Sequence, residues 1–316
     1  MYPANPLITV AICTHNRATL LEIAVRSVLP QLSDDAELLI INNGSTDHTA
    51  VLAAQFAAAN SHVKVVHELQ TGLSIARNSA LRQAAGNWVV FLDDDAIAEP
   101  GWLAAYKVFV LHLPNALIAC AGGPVTPYHD GPATAWQGAS AFRLTGADEN
   151  QPFSPKGSPV GCNYAVQREV ALAAGAFNTA LGRSGNFLGA HEEIELTERL
   201  RRAGFEIWWV PGARIRHLVT LQRLRLGSQL RQAFDGGRSR GIRHLNKSMG
   251  LDCAILIASR ALIAPFHCGI NLLAALVIFP LQKGRLAMRA LVRTTSIAGM
   301  TYQLLLQIFR RKVNRE

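Results

Sequence analysis

A chain of 316 residues with 49% hydrophobic side chains is long enough for one large domain plus an appendage, and it can fill a sizeable core. Its net charge of +9 is unevenly placed: residues 201–316 hold 20 Lys or Arg against 4 Asp or Glu, while residues 1–200 hold 11 against 18. The basic half interleaves its cations with long aliphatic runs instead of aromatic stacking positions, which argues against nucleic acid and for an anionic membrane surface as its partner.

The opening residues, MYPANPLITVAIC, carry no basic n-region and no long apolar h-region, so no signal peptide is expected and the acidic half is assigned to the cytoplasm. Five scattered cysteines, Cys13, Cys120, Cys162, Cys253 and Cys268, lack metal-site spacing and read as reduced thiols. Leu7 to Cys13 is a continuous β-branched apolar run, as a central strand requires. It ends in Thr14, His15, Asn16 and Arg17, all able to hydrogen-bond a ligand. The spacing of Leu20, Ile23, Ala24, Ser27 and Val28 predicts a helix from Leu20 to Leu32. Glu37 to Ile41 is a second strand, Asn43-Gly44 a turn, and Ser45, Thr46 or Asp47 caps a helix running to about Asn60. A third strand, Val63 to His67, precedes Gly72, which permits close backbone approach, and Arg77 on the first turns of the next helix.

The fourth strand, Trp88 to Leu92, runs straight into Asp93, Asp94 and Asp95. Ligands of open α/β sheets bind outside the carboxyl ends of the strands. Three adjacent carboxylates there repel one another unless a cation or donors sit among them, and a hard cation, Mg²⁺ or Mn²⁺, holding a substrate phosphate is the simplest partner. Pro100-Gly101 then introduces a helix from Trp102 to about Leu113, followed by a strand from Leu117 to Val125. Residues 127–158 form a long loop, SPVGCNYAVQ a strand, and Arg168 to Ala174 a helix. Residues 189–211 contain a helix that buries Ile194, Leu196 and Leu200, stops at Gly204 and leads to a strand with Trp208 and Trp209. The alternation predicts a three-layer α/β domain with a mostly parallel sheet over residues 1–220.

Taken together, VAICTHNRATLL, IINNGSTDHT, GLSIARNSAL, FLDDDAIAEPGWL, GCNYAVQREVALAAGAF and EEIELTERLRRAGF resemble, in order and spacing, the family 2 glycosyltransferases. The resemblance implies a Rossmann-like GT-A fold and a nucleotide-sugar donor. It places Thr14, Asn16, Arg17 and Asn43 at the nucleotide base and ribose, Arg77 at the nucleotide or its diphosphate, and Asp93 and Asp94 at the same site. Asp95, with His217 of ARIRHL, would hold the metal. The family usually has Asp where this chain has Asn43. Its Glu-Asp pair at a helix start is here Glu192-Glu193, so the base that takes the acceptor's proton falls on Glu193, with Glu192 as the alternative. Trp102, Gly123, Asn163, Tyr164 and His191 are candidates for sugar or acceptor contacts.

From Leu221 the character changes. LQRLRLGSQLRQAF alternates leucines with arginines, so one helix face can enter a lipid headgroup region. Ala261 to Leu281 is a run of 21 uncharged residues, near transmembrane length. A single crossing would carry the basic residues 283–316 outward against the positive-inside tendency, and Pro265 and Gly269 interrupt the run. Residues 221–316 are therefore expected to form helices lying in, or re-entering, the cytoplasmic leaflet of the inner membrane. The alternative is packing on the catalytic domain or on a twin subunit, a homo-oligomer through the C-terminal helices.

The expected activity is inverting, metal-dependent transfer of a sugar from a UDP-linked donor to a lipid-linked or growing glycan in cell-surface polysaccharide assembly. Two rivals are a nucleotide-sugar-forming nucleotidyltransferase, for which THNRATLL is the wrong phosphate loop, and a catalytically silent membrane-bound nucleotide-sugar-binding protein.

Overall fold

The computed structural model describes residues 6–131, 144–247 and 284–313. These fall into two compact units. One holds the chain through Tyr128, the described part of the stretch ending at Thr179, and Glu192–Leu218; the other holds residues 129–131, Ala180–His191 and the described residues from Val219 onward.

In the first unit, strands β1 (Ile8–Thr14), β2 (Ala36–Asn43), β3 (Val63–Glu68) and β4 (Trp88–Leu92) alternate with helices α1 (Ala18–Val28), α2 (Thr49–Ala59) and α3 (Leu73–Gln83). Then come β5 (Ala96–Ala98), α4 (Trp102–Leu111), β6 (Ile118–Gly122), β7 (Val125–His129), β8 (Gln151–Pro152), β9 (Asn163–Gln167) and α5 (Arg168–Ala173). Strands β10 (Arg183–Ser184) and β11 (Phe187–Leu188) belong to the second unit, after which α6 (Glu192–Arg202), β12 (Glu206–Trp209) and β13 (Ile215–Val219) follow.

The main sheet has the order β3-β2-β1-β4-β9-β6-β12-β8. Its first four strands are parallel, β9 lies antiparallel between β4 and β6, and β12 is again parallel to β6. β2 and β4 are buried along their whole length, which is why β4 and the Leu38–Ile41 centre of β2 read as apolar runs and not as alternating patterns. Helix α1 turns Leu21, Ala24, Val25 and Val28 inward, an i, i+3, i+4, i+7 stripe. Pro30 ends it before Leu32: Leu29–Gln31 closes as a 3-10 turn, because proline has no N–H for the helical ladder. Apolar clusters fill both faces of the sheet, one around Ile12, Trp88 and Trp102, the other around Leu39, Phe91 and Tyr164.

Two registers position the site. Leu92 pairs with Asn163, so the chain leaving β4 and the chain entering β9 lie side by side. Ala96 pairs with His217 in the small sheet β5-β13-β7, which sets His217 beside the Asp triplet. Neither β5 nor β13 stands out in the sequence, since each is too short to show a period and owes its conformation to the other. In α6, Leu196 and Leu200 are buried as expected, but Ile194 is only half-buried and Glu195 goes inside instead. Arg199, one turn on, pairs with Glu195 at 2.8 Å and makes that burial tolerable.

The second unit contains the hairpin β10-β11 and two long helices, α7 (Leu226–Lys247) and α8 (Gly284–Val313). The helices cross with their backbones in contact: a Cβ at Gly237 would overlap the Ser296 carbonyl, and one at Gly299 the Phe234 carbonyl. The amides of Leu188 and Ala190 donate to Asp235 Oδ2 (3.0 Å) and Ser239 Oγ (3.1 Å), fastening the end of β11 and the residues after it to α7. Among the described residues no helix is long and apolar enough to cross a membrane. The apolar run at residues 261–281 lies outside the described residues.

Candidate active site

The carboxyl ends of β1 and β4 are neighbours, and the side chains there form one network. Thr14 Oγ1 donates to Asp94 Oδ2 (2.9 Å), while Arg17 Nη1 donates to Asp94 Oδ1 (2.8 Å) and to Asp95 Oδ2 (3.2 Å). Asp94 and Asp95 are buried, whereas Arg17 keeps a third of its side chain, 33%, in solvent. Burial above all, with the charge of Asp95 adding and that of Arg17 opposing, pushes the Asp94 carboxyl up to about 6. Asp95 Oδ1 lies 3.1 Å from His217 Nε2, so the two expected metal ligands do meet. The other ring nitrogen of His217, Nδ1, is buried and has no hydrogen-bond partner among the described residues.

Cys162 joins this cluster, a residue that its sequence context did not single out. One ligand atom each from Asp93, Cys162 and His217 lie within 4.8 Å of one another. The β4–β9 pairing is the reason, since it ends at Leu92–Asn163 and Asp93 and Cys162 are the next residues of the two chains. The available donors, carboxylate oxygens and an imidazole with an unpaired nitrogen, suit Mn²⁺ or Mg²⁺. Burial pushes the Cys162 thiol well above its ordinary range, and Asp93 and Asp95 push it further.

Arg77 is the centre of a second network. Its Nη1 donates to Glu192 Oε1 (2.6 Å), and its Nη2 donates to Asp93 Oδ1 (3.0 Å) and to the Gly161 carbonyl (3.0 Å). The guanidinium lies 5.7 and 5.6 Å from the ring centroids of Phe91 and Phe177. A Cβ at residue 161 would sit 2.7 Å from Nη2, so only glycine leaves room. At 2% exposure the Arg77 side chain is closed off, and its donors are spent on two carboxylates and a carbonyl. Glu192 is likewise buried, with Oε2 lacking a partner among the described residues. Glu193 is partly exposed, and desolvation followed by the charge of Glu192 pushes its carboxyl to about 8.

Asn43 is likewise hydrogen-bonded within the protein. Its Nδ2 donates to the carbonyls of Gln70 (2.7 Å) and Glu68 (3.3 Å), and its Oδ1 accepts from Gly72 N (2.8 Å). The amide clamps the turn ahead of α3 and has little left for a base. An amide can donate to both carbonyls there, whereas a carboxylate could not. Asn16 is exposed, in left-handed backbone at φ 53°, and its Oδ1 accepts from the amides of Thr46 (2.7 Å) and Asp47 (3.3 Å). Thr14, Asn16 and Arg17 thus stand together at the sheet edge, while Asn43 shapes it from beneath.

Four of the sugar and acceptor candidates are core residues. Asn163 Oδ1 accepts from Trp102 Nε1 (3.0 Å) and Tyr106 Oη (2.8 Å), and its Nδ2 donates to the Ala213 carbonyl (2.7 Å); all three side chains are fully buried. Tyr164, equally buried, packs on Phe177 and shares a 3.2 Å hydrogen bond with Thr197 Oγ1. A Cβ at Gly123 would overlap the Ala213 carbonyl, so this glycine answers to packing. His191 lies in the second unit at φ 73°; burial, then Arg243 and Arg240, push its imidazole down to about 4, and its Nδ1 has no partner among the described residues.

Residues 9–142 match the family described as Glycosyl transferase family 2. The chain is 26% identical over 302 residues to the succinoglycan biosynthesis protein ExoM of Rhizobium meliloti, covering 93% of this chain and 92% of that one. It is 25% identical over 244 residues to the glucosyl-dolichyl phosphate glucuronosyltransferase of Haloferax volcanii, covering 75% and 77%. The fold is shared with the mannosyltransferase PcManGT from Pyrobaculum calidifontis, solved in complex with GDP-Man and Mn²⁺, at a TM-score of 0.59 and 18% identity over 94% of this chain and 87% of that one. The matched stretch runs from β1 through β7 and takes in Thr14, Arg17, Arg77 and the Asp triplet on a GT-A fold, so over these residues the chain is similar to the family 2 glycosyltransferases.

Proposed function

We propose that the protein transfers a sugar, with inversion, from a nucleoside diphosphate donor to a lipid-linked or growing glycan, with Glu193 as the base. The observation that carries this reading is the shared guanidinium: Arg77 bonds Asp93 at 3.0 Å and Glu192 at 2.6 Å, which keeps the strand-end carboxylates and the start of α6 within one side chain's span. Glu192 is committed to Arg77, so Glu193 is the carboxylate left to act.

In the reaction, Glu193 accepts the proton of the acceptor hydroxyl while the hydroxyl oxygen bonds to the anomeric carbon, and the bond from that carbon to the diphosphate breaks with its electrons going to the leaving phosphate. Asp93, Asp95 and His217 would hold Mn²⁺ or Mg²⁺, which when bound supplies positive charge to the departing diphosphate. Arg17, partly in solvent, neutralises Asp94 and Asp95 and holds the edge of β4 in shape. Thr14, Asn16 and Arg17 line the nucleotide side.

The donor class, a nucleoside diphosphate sugar, is supported by the GDP-Man and Mn²⁺ bound to the Pyrobaculum calidifontis mannosyltransferase; UDP, the nucleotide expected from the sequence, is tested beside GDP. The acceptor class is supported by the names of the two sequence relatives, one for succinoglycan biosynthesis and the other for action on a glucosyl-dolichyl phosphate. The exposed Arg225, Leu226 and Arg231 around the entry to α7 support attachment at the cytoplasmic face of the inner membrane. Thermal-shift screening of UDP- and GDP-sugars with and without Mn²⁺ tests the reading. A sugar nucleotide that raises the melting temperature only with Mn²⁺ is expected; a panel without any such ligand would overturn it.

A further inference from the structure

We infer that Cys162 gives the cation position a second mode of ligation, in which a thiophilic cation such as Zn²⁺ is held through sulfur by Asp93, Cys162 and His217. The inference rests on the cation position in the proposed donor site, but it concerns which metals that position takes, not the transfer reaction.

Packing alone would account for a buried cysteine, since free thiols are common core fillers. It does not account for a thiol whose sulfur lies within 4.8 Å of both a carboxylate oxygen and a ring nitrogen. Cys120 shows the contrast: it is fully buried in the apolar cluster with Phe91 and Tyr164 and belongs to no such group among the described residues. His217 adds a second sign, because Asp95 occupies Nε2 while Nδ1 is buried without a hydrogen-bond partner among the described residues. Asp93 is the most exposed carboxylate of the triplet, at 31%, which leaves a path for an ion from solvent.

The two modes differ in the chemistry of the donors. Mn²⁺ and Mg²⁺ favour carboxylate oxygen and leave a neutral thiol alone, whereas Zn²⁺, Cd²⁺ and Co²⁺ bind thiolate and imidazole strongly. On binding such an ion the Cys162 S–H bond breaks, a sulfur–metal bond forms and the proton passes to solvent. A cation held by sulfur deep in the cluster competes with the ion that would face the diphosphate, so the chain should be inhibited by Zn²⁺ or Cd²⁺ even with Mn²⁺ present.

The test uses the full chain, titrated with Co²⁺ and followed by its thiolate-to-cobalt charge-transfer absorption in the near ultraviolet. The wild-type chain should develop the band, Cys162→Ser should not, and Cys13→Ser should retain it. Zn²⁺ should displace Co²⁺ from wild type and bind Cys162→Ser at least about tenfold more weakly, the low end of what losing even an outer partner of a metal ligand costs. Cobalt binding without the band, or a band that survives in Cys162→Ser, overturns the inference. Mn²⁺ affinity is measured on the same proteins: if it survives in both while the band is absent, the inference fails and the donor site stands. Should Cys162→Ser not fold, cadmium NMR of the wild-type chain reads sulfur ligation without any substitution, and a resonance in the oxygen and nitrogen range alone overturns it.

Discussion

Asp93 and Glu192 are held by the same guanidinium, at 3.0 Å from Nη2 and 2.6 Å from Nη1 of Arg77. One follows β4 and the other opens α6, and the cation between them is 2% exposed. Removing the cation of a buried pair leaves its partner, here Glu192, uncompensated, costing about 3–5 kcal/mol. Arg77→Met is therefore expected to lower folding stability by roughly that amount, read as a shift in the urea midpoint at unchanged slope. Arg77→Lys should recover only part of it, because an ammonium cannot reproduce the planar fork. A midpoint that does not move would show that the pairing contributes nothing net.

Glu193→Gln keeps the size and the hydrogen-bonding reach of the side chain but cannot take a proton. Turnover should fall by roughly 100- to 10,000-fold, the usual worth of a positioned base. Donor affinity, measured by calorimetry with Mn²⁺, should stay within a few-fold of wild type. Retained turnover would remove Glu193 from the reaction and bring Glu192 forward.

The raised carboxyl of Glu193 also sets a pH dependence. With the group shifted from 4.5 to about 8, the base is protonated in the free enzyme at neutral pH, so kcat/KM should climb with pH and level off above about 8. The folded chain holds a proton that the unfolded chain releases between those values, so this group lowers folding stability as pH rises through that window. The Glu193→Gln chain should lack that part of the decline, which paired denaturation curves across the window would measure.

Chelation should abolish transfer, and added Mn²⁺ should restore it. His217→Ala and Asp95→Asn are each expected to weaken Mn²⁺ binding by about tenfold or more, measured by the Mn²⁺-dependent rise in melting temperature. Equal responses in wild type and both variants would move the metal away from this cluster.

Asn43→Asp tests the clamp on the turn before α3. The substitution replaces two donated hydrogen bonds with a carboxylate facing the carbonyls of Glu68 and Gln70. Stability should drop by about 1–3 kcal/mol at neutral pH and recover in part on acidification, as protonation removes the repulsion. Thermal melts at two pH values distinguish this from a role in nucleotide binding, which would leave the melts of the ligand-free chain unchanged.

The sequence made the strands and the Asp triplet legible because each is a local signal: an apolar run ending in three carboxylates cannot sit inside a sheet. Pairings between distant segments were another matter. Nothing near Asn163, Tyr164 or Trp102 distinguishes an aromatic or amide facing a sugar from one buried against Ala213 or Thr197, and the buried role won in each case. Cys162 became significant only through the β4–β9 register, and Arg77 only through Glu192 and Gly161. His217 was placed by resemblance, and the physical cause, its pairing opposite Ala96, rests on two strands too short to announce themselves.

The glycine crossing of α7 and α8 has a consequence for the surroundings this unit can occupy. Backbone touching backbone at Gly237 and Gly299 gains its attraction from dispersion between close atoms, a force that does not depend on driving water out. Most helix pairs in aqueous proteins loosen when hydrocarbon replaces the solvent, because their large side chains no longer gain by hiding. A pair joined through glycines keeps its grip in either medium, and one added methyl at Gly237 or Gly299 would prise it apart in both.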